Sequence, residues 1–131
     1  MLPDLGADLR TWLAAQSALG LTAGGTVFRG QFPQHVIEGV LVIDTGGERS
    51  DRVTGSVMLT AQVTCRYRSL TTALAKARAI YDLLNEPAAP RTMGTASKIL
   101  YSKAIQPPFS LGQDERQAWR VICNYEFLTQ T

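Results

Sequence analysis

The chain has 131 residues, 45% of them apolar and 18% charged, with 13 Lys and Arg against 11 Asp and Glu for a formal net charge of +2. That length supports a single domain, residues 1–131, with its own hydrophobic core, and so small a charge does not imply strong non-specific nucleic-acid binding through a basic field. Met1–Asp8 lacks the basic n-region of a secretion signal and Val40–Ile43, the longest aliphatic run, is too short to cross a bilayer, so the expectation is a soluble intracellular product with no membrane contact.

Leu5, Leu9, Trp12, Leu13 and Leu19 fall on one stripe, which predicts an amphipathic helix from Asp4 to about Leu19. A carboxylate at Asp4 suits the helix N-terminus, and Gly20 ends the helix. Gly24, Gly25, Gly30 and Pro33 frame an irregular connector holding a short extended piece at Val27–Arg29, counted as strand one. Glu38–Asp44 is an aliphatic second strand, and the turn-rich Thr45–Gly55 is a polar loop. Val57, Leu59, Ala61, Val63, Cys65 and Tyr67 then alternate with Met58, Thr60, Gln62, Thr64, Arg66 and Arg68. Period two over that span predicts a long, half-buried third strand.

The period switches to 3.6 at Leu70, Ala73, Leu74, Ala77, Ile80, Tyr81 and Leu84, one face of a second helix. Ser69 or Thr71 caps it and Asn85-Glu86-Pro87 ends it. Pro87–Arg91 reads as a link, and Ile99, Tyr101 and Ile105 mark a fourth strand. Gln106–Arg116 reads as a long shaped loop. Pro107 and Pro108 have no N–H to give a ladder, Gly112 permits a turn, and Phe109 and Leu111 form an apolar tip. Trp119, Val121, Cys123, Tyr125 and Phe127 mark the fifth strand.

This order of elements predicts an α+β two-layer sandwich: four main antiparallel strands in spatial order 2-3-5-4, the short N-terminal strand, and two helices on one face. The second face should then be polar. It is not, because the second strand is apolar on both sides (Val40 and Val42; Leu41 and Ile43) and Ile122 and Leu128 break the pattern of the last strand. Either a neighbouring subunit or a loop of the same chain, such as Pro107–Asp114, has to cover that face.

Candidate chemistry is sparse. Val40–Gly46 ends in the Asp44-Thr45-Gly46 sequence of retroviral-type aspartic proteases, which pair two carboxylates across a homodimer axis. Those enzymes are nearly all-β and need a later aliphatic-Gly segment behind the catalytic loop; here a helix fills the middle of the chain and no such segment follows. A strand-ending turn accounts better for Asp44. The single histidine, His35, has no cluster at metal-ligand spacing and supports no triad with Ser17, Ser56 or Ser110. Gly20–Gly30 lacks the Gly-Lys-Ser/Thr of a phosphate loop. Cys65 and Cys123 form no Cys-x-x-Cys pair and read as free core thiols. Arg66 and Arg68, on the polar face of the third strand, suit phosphates, acidic partner residues or plain solvent. The chain therefore reads as a non-enzyme with no cofactor or metal.

Four places, taken in order and spacing, resemble one family: the N-terminal helix, the Phe28–Pro33 turn before a valine-rich strand, the Thr45-Gly46-Gly47 loop before the alternating strand, and the Pro108–Phe127 end. They are similar to the siphophage tail terminators, also described as minor capsid or tail completion proteins. The resemblance implies a homo-oligomeric ring, a hexamer, at the head-proximal end of the tail tube. There it would end tube polymerisation and offer a surface to the head–tail connector, with DNA passing through the lumen unread. Its partners would be itself, the tail tube protein and the connector protein; its location would be the virion neck after assembly in the host bacterial cytoplasm.

On that resemblance the partner interface falls to Glu48, Arg49, Asp51 and Arg52, whose mixed signs suit reciprocal ion pairs between identical subunits. Leu41, Ile43, Arg66 and Arg68 join it from the sheet. Phe109 and Leu111 serve as a docking anchor, beside Asp114, Glu115 and Arg116. Gln117-Ala118 departs from the expected pattern, in which glycine or another small turn residue precedes the aromatic. Two alternatives remain open beside the aspartic protease. One is another neck component, a connector stopper or completion protein. The other is a small-ligand or RNA-binding α+β module, which would need exposed aromatics on the free sheet face where the third strand shows Thr, Gln and Arg.

Overall fold

The computed structural model describes residues 4–21, 26–47, 55–85, 91–93 and 97–130. Helix α1 (Leu5–Ala15) starts at Asp4, whose side chain accepts the Ala7 N–H, and it buries Leu5, Leu9 and Leu13. It is shorter than expected. Gln16 turns extended (φ −80°, ψ 102°), and Ser17–Leu19 form a separate 3-10 turn closed by Gly20 at φ 64°. The break brings Leu19, 1% exposed, into the core, where its carbonyl accepts a hydrogen bond from Lys76. Helix α2 (Leu70–Leu84) is capped by Ser69, which accepts the Thr72 N–H, and it buries Ala73, Ala77, Ile80 and Leu84.

The strands are β1 (Val27–Arg29), β2 (Gly39–Gly47), β3 (Ser56–Tyr67), β4 (Arg91–Met93), β5 (Ser97–Ala104), β6 (Phe109–Gln113) and β7 (Trp119–Gln130). They form one sheet ordered β1-β2-β3-β7-β5-β4, with β6 also pairing β7. The expected four-strand, two-layer sandwich is therefore corrected: the chain is a mostly-sheet, curled half-barrel of seven strands with two helices, and strand count and order both differ. β-Bulges at Asp44/Gly46 in β2, Ile99/Tyr101 in β5 and Ser110/Gly112 in β6 supply the bends that a curled sheet needs.

Two local readings fail for identifiable reasons. The prolines do interrupt pairing after the Ile105 N–H reaches the Asn124 carbonyl (2.8 Å), but the chain resumes the same lane against β7, with Phe109 opposite Ile122. What read as a loop is thus a strand broken off from β5. Nor does β2 stop at Asp44; a bulge absorbs the irregularity and pairing runs on to Gly47 opposite Leu59.

The inner side of the sheet holds the core. Cross-strand rows Val40–Cys65–Val121 and Val42–Val63–Cys123, then Ala61–Tyr125 and Leu59–Phe127, face the two helices. Tyr125 and Phe127 are fully buried, and large aromatics contribute the most apolar area per residue. Both cysteines are free and buried.

Candidate functional site

The outer side of the sheet decides what is left for a partner. One row crosses it from edge to edge: Phe28, Leu41, Thr64, Ile122 and Phe109. The first four are at most 8% exposed, so this chain covers that row of its own second face. The cover comes from residues 31–38 and not from Pro107–Asp114. Phe32 packs edge-on to Phe28 with ring centroids 5.8 Å apart, and the Arg66 guanidinium lies 3.9 Å over the Phe32 ring. Arg66 then donates from Nε to the Ile37 carbonyl (2.7 Å) and from Nη2 to the Val36 carbonyl (2.6 Å). Arg66 clasps a loop, which is a different role from a free contact on a polar strand face.

Next along the outer face, Gln62 donates to Asn124 across β3 and β7 (3.2 Å), and half-buried Ile43 lies beside Gln62. Beyond them Lys103 pairs with Glu126 at 3.0 Å. The row ends uncovered. Phe109 is 41% exposed, Leu111 48% and Ile105 57%, and these are the exposed large hydrophobic residues among the described ones. All three lie on one arm of the hairpin, from the last bond of β5 through β6.

The hairpin turn is held by Asp114. Its Oδ1 accepts the N–H groups of Arg116 (2.9 Å) and Ala118 (3.1 Å), and its Oδ2 lies 3.8 Å from Arg66. Burial pushes the Asp114 carboxyl up, but those two amides, with the charges of Arg66 and Arg120, outweigh it and set its pKa below the ordinary 3.8. Gln117 takes φ 62°, the left-handed conformation glycine enters most easily; this is where a small turn residue was expected. Arg116 donates from Nη1 to the Gln34 carbonyl (2.6 Å), tying the turn to the covering loop. Glu115 is exposed.

Of the expected interface residues, Phe109, Leu111, Asp114, Glu115 and Arg116 share this hairpin, and Arg66 and Arg68 adjoin it. Arg68 lies just beyond β3 and is exposed. Leu41 is buried under its own chain. Glu48, Arg49, Asp51 and Arg52 lie outside the described residues. Cover by a loop of the same chain was one of the two expectations, but residues 31–38 were not named for it, nor Ile105 for the interface; the outward Ile105 carried no signal beyond being the last apolar residue before the prolines.

Asp44 is engaged by Arg29, which donates to it from Nη2 at 2.5 Å and from Nε at 3.2 Å, while Arg29 Nη1 reaches Asp4 at 2.9 Å. The Asp44 hydrogen bond, outweighing partial burial and joined by Asp4, raises the Arg29 pKa. An ion-paired Asp44 flanking a bulge does not present a free carboxylate. Burial pushes the Cys65 thiol up to about 12, so it stays protonated and unreactive. Among the described residues no cluster of three or more His, Cys, Asp or Glu could hold a metal, and no helix is long and apolar enough to cross a membrane.

A family model described as bacteriophage tail terminator protein matches residues 15–131. No curated protein matches the chain. Among solved structures, a chain from the virion of a native gene transfer agent particle superposes with a TM-score of 0.69 at 15% identity, over 97% of this chain and 95% of that one, a likeness of fold.

Proposed function

This chain belongs to the bacteriophage tail terminator family and is a structural protein of the phage tail; on that basis we propose that it assembles as a hexameric ring on the head-proximal end of the tail tube. The ring stops addition of tube subunits and carries the surface that receives the head–tail connector, while DNA passes through its lumen without being read. Its activity is mechanical, with no catalytic step.

The family match over residues 15–131 carries this reading. The structure supplies a surface suited to it: the exposed apolar residues Ile105, Phe109 and Leu111 are gathered on one hairpin, a pattern that marks protein–protein contact. In this proposal Phe109 and Leu111 anchor the ring on a neighbour in the neck, and the mixed charges of Glu48, Arg49, Asp51 and Arg52 pair between subunits. The covering loop closes off Leu41, so that residue stays inside each subunit.

Purified chain added to growing tail tubes tests this. A ring-shaped density at one end of each tube, with elongation halted there, is the expected result. Tubes that keep growing, or protein bound along their sides, would overturn it.

A further inference from the structure

Guanidinium groups converge where β3 ends and the β6–β7 hairpin turns. One of them is committed to the fold, and a second is half-buried beside it. Arg66 holds the carbonyls of Val36 and Ile37, and Arg120, opposite Arg66 in register, has a buried Nε with no hydrogen-bond partner among the described residues. The other two, Arg68 and Arg116, line an open cavity of about 470 Å³ together with Gln113 and Gln117.

Neither Arg68 nor Arg116 has an ion-pair partner among the described residues. Arg116 gives one Nη1 bond to the Gln34 carbonyl. The nearby acids are already engaged or peripheral: Asp114 is turned onto its own turn and Arg66, Glu38 accepts the Arg68 backbone N–H (3.0 Å), and Glu115 is exposed on the turn itself. The cavity thus brings together the two arginines, Gln117, and Gln113, whose Nε2 also donates to the Gln117 carbonyl (3.3 Å), with the matching anion left to come from outside.

We propose that this cavity and the adjoining β6 strand form a docking site for an extended acidic segment of a partner protein. A carboxylate of that segment lies between Arg68 and Arg116, where the planar fork matches two oxygens at once. The side chains of Gln113 and Gln117 serve its peptide groups. Its apolar residues rest on Phe109 and Leu111, two to four positions back along the same strand. β6 pairs only with β7 among the described residues, which leaves its other edge for an added strand. The same neighbours argue against nucleic acid. A phosphate backbone selects a continuous basic track, and here the arginines are flanked by aliphatic and aromatic side chains and by Glu115. The site lies on a single chain, so it does not depend on ring formation.

The test is an NMR titration of the isotope-labelled full chain. The probes are a short capped peptide alternating glutamate with valine, the same peptide with glutamine for glutamate, sodium phosphate, and duplex DNA. The glutamate peptide should produce saturable shifts at the Arg68 and Arg116 Nε–H groups, the Gln113 and Gln117 carboxamides, and the Phe109–Leu111 amides. The glutamine peptide should bind roughly tenfold more weakly, the loss expected from about 1.4 kcal/mol of charge-assisted hydrogen bonding. The Arg68→Gln/Arg116→Gln variant should abolish the shifts while leaving the core resonances in place; if it misfolds, Arg68→Gln alone provides the comparison. Silence at these residues at millimolar peptide overturns the proposal. So does an equal response to phosphate with β6 unmoved, which marks a surface anion site only, and so does a preference for DNA.

Discussion

At the hairpin turn, single side chains carry consequences that solution measurements can read. The Asp114 pKa lies below 3.8 because its amide hydrogen bonds and neighbouring arginines outweigh its burial. A carboxyl depressed by folding stabilises the fold fully above its unfolded pKa, and that stabilisation is lost as pH falls through the lower folded value. Asp114→Asn should therefore be less stable than the parent at neutral pH, and the gap should close as acid unfolding is followed below about pH 4. A constant gap down to the lowest pH would remove Asp114 from the role given to it. At Gln117 the left-handed φ of 62° costs an L-residue about 1 kcal/mol, part of which glycine's greater entropy loss takes back. Gln117→Gly should raise stability by roughly 0.5 kcal/mol in urea unfolding; a loss would mean that the side chain contributes contacts outweighing the strain.

Elements were legible where one side is buried and the other is not. β3 announced itself because its inner residues, Val57 to Tyr67, alternate with side chains on the outer face, and α2 did so through the stripe ending at Leu84. β6 gave no such pattern, since nearly all its residues are exposed on both sides, and β4 is three residues long. The break in α1 falls at Gln16 and Ser17, residues with no strong preference against helix. The cover over Leu41 and Ile122 was hidden for another reason: Phe32, Val36 and Ile37 act through a loop with no period, and Arg66 finds its acceptors on backbone carbonyls. The apolar tip at Phe109 and Leu111 was readable because nothing in its own strand shields it. That difference has a mutational signature. Phe127→Ala, emptying a fully buried site, should cost about 3–5 kcal/mol in denaturant unfolding, whereas Phe109→Ala should stay within about 0.5 kcal/mol. A large loss at Phe109 would place it in the core and take it away from any partner.

For the whole molecule, the half-barrel explains how a chain of 131 residues and net charge +2 can bury its own core and still keep an apolar patch exposed. Its own loop covers the Phe28–Ile122 row of the second sheet face, and the β6–β7 hairpin gathers the exposed large hydrophobic residues among the described ones. Family membership says that the protein works in the phage tail; the proposal adds that it works there as the terminating ring. Electron microscopy of lysates from the parent phage lacking this gene tests that claim most directly. Filled heads lying beside unattached, overlong tail tubes are the predicted result. Tails of normal length, whether joined to intact heads or lying beside heads that leak DNA, would contradict it.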